Sequence, residues 1–551
     1  MPAKKVDHLE KEKLLAEIER LRKELKKKKK YGLVWEEKPE EVVEMCKNKL
    51  PILKEVKGRE IITDPSKPVN LLIEGDNYHA LSVLNYTHEK KIDVIYIDPP
   101  YNTGIEGFRY NDKIVDREDT FRHSKWLSFI SKRLKLAKSL LKNSGVIFIS
   151  IDDNEVAQLK IVCDENFGEN NFIVNIIWRK RAGAPNDKII GTIHEYILCY
   201  AKNIQEVKLH RKMRTEEQLN RYKNPDNHPK GPWAPDNLMA NVKGGRYVKS
   251  LYFPIVNYNT GEKFWPSSKG NWRFNKEKIE ELIKNNEIYF GMDGKGRPKL
   301  KRFLCDVKEG IPFPSIWDNV GYNNTATAEI ADFFGSVNIF DTPKPTSLLR
   351  EILSLATNKK ENSIILDFMA GSGTTGQAVL ELNKEDGSNH QFILCTNNEN
   401  NICSDVCYPR IEKAIRGYKN SKREKVEGLV GNLKYFKTDV VNAESTDKNK
   451  KKLTEQATEM LCIREGTFEL VLEQKKIKIF KNNKHYTGII FDQLAISEFK
   501  KAIKDIKGRF SVYVFSLGDD TFDEEFEDVK QKVKLSPIPE AILRVYRRIF
   551  K

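Results

Sequence analysis

The first half of the chain alternates short apolar runs with amphipathic stretches, a pattern that predicts an α/β unit over residues 69–203. Four runs rich in Val, Ile, Leu and Tyr predict buried strands: Asn70–Ile73, Val94–Ile97, Val146–Ile151 and Tyr196–Tyr200. Between the second and third runs, apolar side chains at helical spacing predict a helix from about Asp119 to Lys142. We expect Gly145 to cap the end of that helix, and Asp152 and Asp153 to cap the start of the next one.

The pattern changes after residue 203 and returns after residue 340. Residues 204–335 combine Gly, Pro, Asn, Lys and aromatic residues without a sustained period. A strand, a helix and a strand follow at Ser363–Asp367, Gly371–Asn383 and Gln391–Cys395. A last segment, 430–551, has three strand-like runs, Phe468–Leu472, Gly488–Phe491 and Phe510–Phe515. It also has two helix-like segments, Ser497–Ile506 and Pro539–Phe550. The sequence therefore predicts a divided α/β core with an insert and a C-terminal α/β domain.

The N-terminal segment has an apolar stripe on a polar background, spaced four, three and four residues: Leu14, Ile18, Leu21 and Leu25. This spacing is typical of a coiled-coil seam, although about two heptads are marginal alone. The run Lys26–Lys30 follows the stripe. It fits either a solvated helix end or an arm that contacts phosphates.

Positive charge is concentrated in the insert. The chain has 95 Lys and Arg against 79 Asp and Glu, a net charge of +16. Residues 205–302 alone have 21 Lys and Arg against 11 Asp and Glu, an excess of ten positive charges. Large rings are interleaved with these charges: Tyr222, Trp233, Tyr247, Tyr252, Phe253, Trp265 and Trp272. Cations for phosphates, with rings or polar side chains for bases, predict a nucleic-acid surface here.

The composition gives no indication of secretion or membrane insertion. There is no secretory signal and no apolar run near the roughly 18 residues that a membrane span needs. The eight cysteines are scattered, and Cys403 and Cys407 alone are close in sequence. One CxxxC pair without a second pair favours buried reduced thiols over a metal site. We expect a cytoplasmic protein without a bound metal.

One predicted strand of the core ends on an unusual stretch, Ile97–Gly104, with the sequence IDPPYNTG. The two prolines prevent the chain from continuing as a strand or turning directly into a helix. The strand therefore ends on a carboxylate, Asp98, with a stiffened backbone and an aromatic ring behind it. The simplest interpretation is a Pro-Pro turn with an Asp cap.

A second motif follows the strand Ser363–Asp367 and reads FMAGSGTTG over Phe368–Gly376. Its three glycines match the dinucleotide fingerprint, in which glycine allows a tight turn and close backbone approach at a helix N-terminus. Gln377 stands where a phosphate-binding P-loop needs lysine, which excludes that class. The turn fits a nucleoside cofactor whose charged amino-acid end lies over the glycines.

Together the two motifs resemble motifs IV and I of the DNA amino-methyltransferases, in the order of the β group, with the catalytic motif first. The insert lies where that group has its target-recognition domain. Further stretches resemble the modification (Mod) subunits of Type III restriction-modification systems: Gly32–Glu36, Trp178–Lys180, His194–Tyr196, Thr342–Pro345, Ile538–Glu540 and Val545–Ile549. The resemblance covers most of the chain. It implies a Rossmann-like, S-adenosylmethionine-dependent sheet in permuted motif order.

The resemblance implies methylation of an exocyclic base amine, whose lone pair conjugation delocalises into the ring. Asp98 would accept one N–H bond and the Pro99 carbonyl the other, which favours the pyramidal, nucleophilic nitrogen. Pro99 and Pro100 would hold both acceptors in place. Tyr101 would stack on a base rotated out of the duplex. The sulfonium methyl of S-adenosylmethionine would then be attacked in line, without a covalent enzyme intermediate or a metal.

The resemblance also implies contacts to the cofactor. Gly371 and Gly373 would admit its methionine end, Phe368 would pack against it, and Asp367 would bind near its ammonium group. The other implied contacts are Asp76, Asp98, Lys344, Pro345, Ala370, Thr374 and Glu399.

Three positions have two interpretations each. Asp76 fits a helix N-cap as well as a contact to the cofactor adenine. The strand Gln391–Cys395 is not followed directly by an acid, so the ribose hydroxyls fall either to Glu399 or to an asparagine before it. His194 is either a core histidine or a residue of the base pocket.

We predict a DNA adenine-N6 methyltransferase that binds double-stranded DNA as a homodimer, with a separate restriction (Res) subunit as a possible further partner. The alternatives are a cytosine-N4 methyltransferase, a group that more often has serine at the position of Asp98, an RNA methyltransferase, and a non-catalytic DNA-binding or assembly protein. The sequence has neither a Walker lysine nor a nuclease-like cluster, so we do not expect this chain to cleave DNA.

The expected domains are an N-terminal arm (1–45), a catalytic half (46–203), a target-recognition domain (204–335), a cofactor-binding half (336–430) and a C-terminal assembly domain (431–551).

Overall fold

A computed structural model describes residues 17–18, 35–104, 109–111, 113–186, 189–240, 248–267 and 270–550. The chain forms two compact units, one from Met1–His210 with Ser315–Lys551 and the other from Arg211–Pro314. Several residues of the sequence predictions lie outside the described residues: Leu14, Leu21, Leu25, Lys26–Lys30 and Tyr247.

The larger unit is built on a ten-stranded sheet. Its strands lie in the order Lys49–Glu55, Asn432–Asn442, Val69–Glu74, Gln391–Thr396, Ile364–Asp367, Ile92–Ile97, Leu141–Ile151, His194–Ala201, Phe172–Arg179 and Ile316–Trp317. The six strands from Asn432–Asn442 to Leu141–Ile151 are parallel, and Lys49–Glu55 and His194–Ala201 run antiparallel to their neighbours. The predicted α/β class is confirmed, and the long apolar runs are explained by burial of parallel strands on both faces.

Helices cover both faces of this sheet. Side chains alternate along each strand, so that Ile393 and Cys395 join the core beneath one group of helices while Phe392 and Leu394 face Gly376 on the other side. The longer helices among the described residues of the larger unit are Glu41–Asn48, Asn77–Thr87, Arg122–Leu140, Val156–Phe167, Asn323–Phe334, Thr346–Ala356, Thr374–Asp386, Tyr408–Arg416, Asp447–Glu455, Thr458–Glu465, Ile496–Ile503 and Glu540–Ile549.

The helix caps predicted at Gly145, Asp152 and Asp153 are wrong. The helix Arg122–Leu140 ends before Gly145, because the backbone becomes extended at Leu141 and pairs with the neighbouring strand. Gly145 therefore lies inside the strand Leu141–Ile151. Asp152 accepts a hydrogen bond from the backbone N–H of Asn154 at 2.9 Å, which closes a turn ahead of the next helix. That helix has no side-chain cap, and Asp153 instead accepts from a tyrosine hydroxyl.

The core extends past the expected boundary at residue 430, because Asn432–Asn442 is a strand of the large sheet. Five later strands form a sheet of their own, in chain order: Glu469–Glu473, Ile477–Lys481, Tyr486–Ile490, Phe510–Phe515 and Val533–Ile538. Contacts join this C-terminal part to the core. Tyr546 donates a hydrogen bond to the Pro51 carbonyl, and Arg464 donates one to the Tyr86 carbonyl at 2.8 Å.

The smaller unit, Arg211–Pro314, has its own apolar core. Its longer strands and helices are Trp233–Asn237, Lys299–Phe303, Glu216–Leu219 and Lys276–Lys284. Trp233 and Trp272 are buried, at 5% and 2% exposure, so these two rings support the unit itself rather than form a surface. Trp265 is 48% exposed.

None of the described helices is long and apolar enough to cross a membrane. The eight cysteines are free thiols, and seven of them are buried.

Candidate active site

The two sequence motifs meet on neighbouring strands. Ile364–Asp367, which leads into the glycine turn, pairs in parallel with Ile92–Ile97, which ends before Asp98. From the first strand the chain continues to Gln391–Thr396 on one side, and from the second to Leu141–Ile151 on the other. The connections diverge at this pair. Such a switch point, beyond the carboxyl ends of the strands, is where open α/β sheets bind ligands.

A cluster of charged side chains surrounds Asp98. The Tyr101 hydroxyl donates to Asp98 Oδ1 at 2.8 Å and lies 3.0 Å from Glu195 Oε2. Lys344 Nζ lies 2.8 Å from Asp98 Oδ2 and 3.5 Å from Glu195 Oε2. Lys180 Nζ lies 3.1 Å from Glu195 Oε1. In this group, called the Asp98 cluster below, two carboxylates and two ammonium groups balance in formal charge.

Burial and ion pairing act against each other in the Asp98 cluster. Burial raises the pKa of Asp98; Lys344 opposes the rise and the Glu195 charge adds to it. Burial also disfavours the Glu195 carboxylate, but Lys344 and Lys180 outweigh it and the pKa of Glu195 is lowered. Burial disfavours the Lys344 ammonium, yet the two carboxylates hold its pKa above the usual value. Asp98 is therefore the acid of the cluster with increased proton affinity.

The sequence reasoning assigned no function to Glu195 or Lys180. Both lie in stretches that resemble the Mod subunits, and they meet because Phe172–Arg179 and His194–Ala201 pair in antiparallel register. An acid beginning an apolar run was the available signal. The pattern did not show that this run lies near Asp98.

The turn after Asp98 is fixed by contacts from neighbouring elements. Trp126 Nε1 donates to the Pro100 carbonyl at 2.7 Å. Asn102 has a φ of 55° and its side-chain amide donates to Glu155, which also lies 2.6 Å from a ring nitrogen of His123. Pro99 is buried. The predicted catalytic stretch is thus held as a rigid turn.

The glycine turn has backbone conformations that only glycine adopts readily. Gly371 has a φ of 49° and Gly373 a φ of 81°. A Cβ added at Gly371 would lie 2.9 Å from the ring of Phe340. Ala370 precedes these glycines, and the helix Thr374–Asp386 begins directly after them. A turn in which two glycines flank the small Ser372, at a helix N-terminus, fits the charged methionine end of S-adenosylmethionine.

Asp367 braces this turn from the strand end. Its Oδ1 accepts the Met369 backbone N–H at 3.0 Å, and its Oδ2 accepts the Thr375 hydroxyl at 2.5 Å. Burial raises the pKa of Asp367 to about 7, although both hydrogen bonds oppose the rise. Phe368 is fully buried in the core. A buried carboxylate beside the turn fits an ammonium group of a ligand.

A fully buried arginine ties the glycine turn to the next helix. Arg410 donates to the hydroxyls of Ser372 and Thr374 at 3.0 and 2.8 Å, and pairs with Glu329 at 3.4 Å. Glu329 in turn accepts the backbone N–H of Thr346 at 3.0 Å, just after the Lys-Pro element. Sequence reasoning missed Arg410 because it lies on a helix 36 residues beyond Thr374.

The other predicted site residues lie as follows. Asp76 caps the helix Asn77–Thr87 through a 2.6 Å hydrogen bond, so the cap interpretation describes its contact here. Glu399 forms an ion pair with Arg109. His194 lies 3.0 Å from the hydroxyl of the tyrosine two residues on, and Pro345 directly precedes the helix that begins at Thr346. Within the described residues, no cluster of His, Cys, Asp and Glu could hold a metal ion.

Known proteins match the chain over the same region. The model of the DNA methylase family matches residues 92–407, which include both motifs. The Mod subunit of the Type III restriction-modification enzyme StyLTI from Salmonella typhimurium is 39% identical over 376 residues, 63% of this chain and 56% of that protein. The EcoPI Mod subunit from Escherichia phage P1 is 33% identical, over 60% of this chain and 58% of that protein. The Type II methyltransferase M.KpnI from Klebsiella pneumoniae is 32% identical, over 67% and 90%. The chain thus spans just over half the length of the two Mod subunits.

Proposed function

This chain belongs to the DNA methylase family, and we propose that it methylates adenine N6 in a short DNA sequence with S-adenosylmethionine as the methyl donor. The observation that carries the proposal is the position of Asp98, at the end of the strand beside the one that leads into the glycine turn. A carboxylate and a glycine turn therefore follow adjacent strands, which supports their proposed roles as amine acceptor and cofactor site. Methyl transfer requires that proximity.

The Asp98 carboxylate and the Pro99 carbonyl would accept the two N–H bonds of the adenine amine, so that the nitrogen lone pair becomes available. S-adenosylmethionine supplies an electrophilic methyl group on a sulfonium. As the C–N bond formed and the methyl–sulfur bond broke, with its electron pair returning to sulfur to give a neutral thioether, positive charge would grow on the nitrogen and the Asp98 carboxylate would stabilise it. The surplus proton leaves through Asp98 to solvent. The Lys344 ammonium, 5.0 Å from the Tyr101 ring centroid, helps to fix the ring proposed to stack on the flipped base.

For the cofactor, we propose that the backbone at Gly371 and Gly373 holds the methionine end and that Asp367 faces its ammonium. The positive φ at both glycines and the buried carboxylate support this arrangement. The remaining proposed contacts are Asp76, Asp98, Lys344, Pro345, Phe368, Ala370, Thr374 and Glu399.

The product tests the proposal directly. The protein is expressed in cells that lack adenine and cytosine methyltransferases, and the nucleosides of their DNA are separated by mass spectrometry. N6-methyldeoxyadenosine is expected. N4-methyldeoxycytidine would favour the cytosine alternative, since the same two acceptors can serve that amine. Unmodified DNA from cells that contain the folded protein would overturn the proposal.

We propose Arg211–Pro314 as the unit that recognises the DNA sequence. It has 21 Lys and Arg against 12 Asp and Glu, and phosphate contacts by such cations position a protein on duplex DNA. Its exposed Trp265 is a further group that could reach a base.

We further propose that the chain acts in the cytoplasm as the modification subunit of a Type III system. The names of the two Mod relatives support this assignment. It implies a homodimer and a separate restriction subunit. Co-purification with the product of a neighbouring restriction gene tests the partnership, and light scattering tests the dimer.

A further inference from the structure

We propose that Glu195 is a positioning residue that shares Lys344 and the Tyr101 hydroxyl with Asp98, and so keeps the Asp98 carboxylate available to the target amine. The inference rests on the proposed methyl transfer and goes beyond it, because it concerns how the acceptor is kept free.

The geometry of the Asp98 cluster carries this inference. The Tyr101 hydroxyl has one proton and lies within 3.0 Å of both carboxylates, so it can donate to one of them at a time. Lys344 also lies between the two acids. Without Glu195, both donors would bind Asp98 alone, one on each oxygen. A carboxylate held by two strong donors is a weaker acceptor for an amine.

Lys180 keeps Glu195 suited to this task. It contacts Glu195 Oε1, whereas Lys344 and Tyr101 contact Oε2, and its charge favours the ionised carboxylate although Glu195 is only 5% exposed. Glu195 therefore competes for Lys344 as a full charge. The ionisable groups that face the two acids are Lys344, Lys180, Tyr101, Tyr96, Asp152 and Asp367.

The test changes the charge of Glu195 and of its partner separately. Glu195→Gln keeps the shape and one acceptor oxygen but removes the charge. Lys344 then pairs with Asp98 alone, so kcat/KM for DNA should fall by about tenfold, while the acid limb of its pH profile moves down by about one unit. Lys180→Gln removes a cation and leaves Glu195 more dependent on Lys344, so the acid limb should move up. Because kcat/KM for DNA reports the enzyme form that binds DNA, these shifts refer to the cluster before the target base enters it.

Rates are measured as transfer of labelled methyl from S-adenosylmethionine to unmethylated genomic DNA between about pH 5 and pH 9. Cofactor binding by calorimetry and the melting temperature check that each variant is folded. Glu195→Asp keeps the negative charge, so the acid limb of its pH profile should stay at the wild-type position. If Glu195→Gln does not fold, Glu195→Asp and Lys180→Gln together test the inference.

A lower rate with an unmoved acid limb, an upward shift in Glu195→Gln, or an unchanged rate would overturn the inference while leaving the proposed function intact. Wild-type protein that binds the cofactor but methylates no DNA would overturn both.

Discussion

Lys344 Nζ lies 2.8 Å from Asp98 Oδ2, although 246 residues separate the two in the sequence. Asp98 ends a strand of the catalytic half, whereas Lys344 precedes the helix that leads to the glycine turn. Their ion pair therefore joins the two halves of the divided core at the switch point of the sheet. It couples the proposed amine acceptor to the element next to the proposed cofactor site.

Asp98→Ala should abolish methylation and leave S-adenosylmethionine binding measurable, because the lost carboxylate serves the acceptor amine. Methyl transfer is measured with labelled cofactor, and binding by calorimetry. Asp153→Ala is the matched control, since Asp153 is an exposed acid that follows a neighbouring strand of the same sheet. Full activity in the Asp98 variant would contradict the assignment.

Asp367→Asn should change how stability depends on pH. The folded pKa of Asp367 is about 7, whereas an unfolded Asp titrates near about 4. The folded state therefore binds the proton more tightly. The stabilisation from this group is complete below about pH 4 and is lost as the pH rises through about 7.

Asparagine resembles the protonated acid and has no such dependence. The melting temperature of Asp367→Asn relative to wild type should therefore be higher at about pH 8 than at about pH 5. Equal differences at both pH values would contradict the buried, proton-binding carboxylate. Cofactor affinity, measured separately, should fall in this variant because the proposed ammonium contact loses its charge.

Arg410→Met should destabilise the protein by about 3–5 kcal/mol, because it removes one partner of a buried ion pair and leaves the hydroxyls of the glycine turn without their donor. The measurement is the melting temperature and the denaturant midpoint. Arg416→Met is the control, since Arg416 is on the same helix with an exposed ion pair that contributes at most about 1 kcal/mol. Similar losses of stability in the two variants would contradict the proposal that Arg410 stabilises the fold by tying the glycine turn to its helix.

Exchange of Arg211–Pro314 with the corresponding unit of a relative should move the methylated sequence without moving the modified atom. Lys212 and Ile311 exchange two backbone hydrogen bonds of 2.9 and 2.8 Å, so the unit can be joined where its ends already meet. A wider exchange of 204–335 would remove the strand Ile316–Trp317 from the large sheet. Modification-sensitive sequencing reads the outcome. An active chimera that keeps the old site would place recognition elsewhere.

We expect the protein to be a homodimer. Light scattering of the purified full-length protein should therefore give about twice the 63.8 kDa mass of one chain. Truncation before residue 430 would remove a strand of the large sheet, so a surface change is the cleaner test. Leu470, 47% exposed on the edge strand Glu469–Glu473, is a candidate contact. Leu470→Lys should weaken the dimer. Leu494→Lys is the control, because Leu494 is 80% exposed but does not lie on the edge strand, and this change should leave the dimer intact. A monomeric, fully active wild-type protein would rule the dimer out.

The sequence alone determined the features that depend on neighbouring residues. Apolar runs predicted six of the ten strands of the large sheet, five of them among its six parallel strands, because a parallel strand buried on both faces needs apolar side chains at nearly every position. Gly371 and Gly373 predicted a tight turn at a helix N-terminus, where both glycines have positive φ, and the two prolines after Asp98 predicted a strand that stops at a carboxylate. These motifs also carried the family resemblance, since they contain the groups proposed to bind the amine and the cofactor.

The tertiary structure decided what depends on strand order and long-range pairing. It brought Glu195 and Lys180 to Asp98, buried Arg410 beneath the glycine turn, and put Gly145 inside a strand. Pairing across a sheet depends on which strands become neighbours, and a periodic pattern has the same form whichever neighbour is chosen. For that reason the sequence pointed to Asp98 as the proposed amine acceptor, whereas only the fold showed which charges surround it.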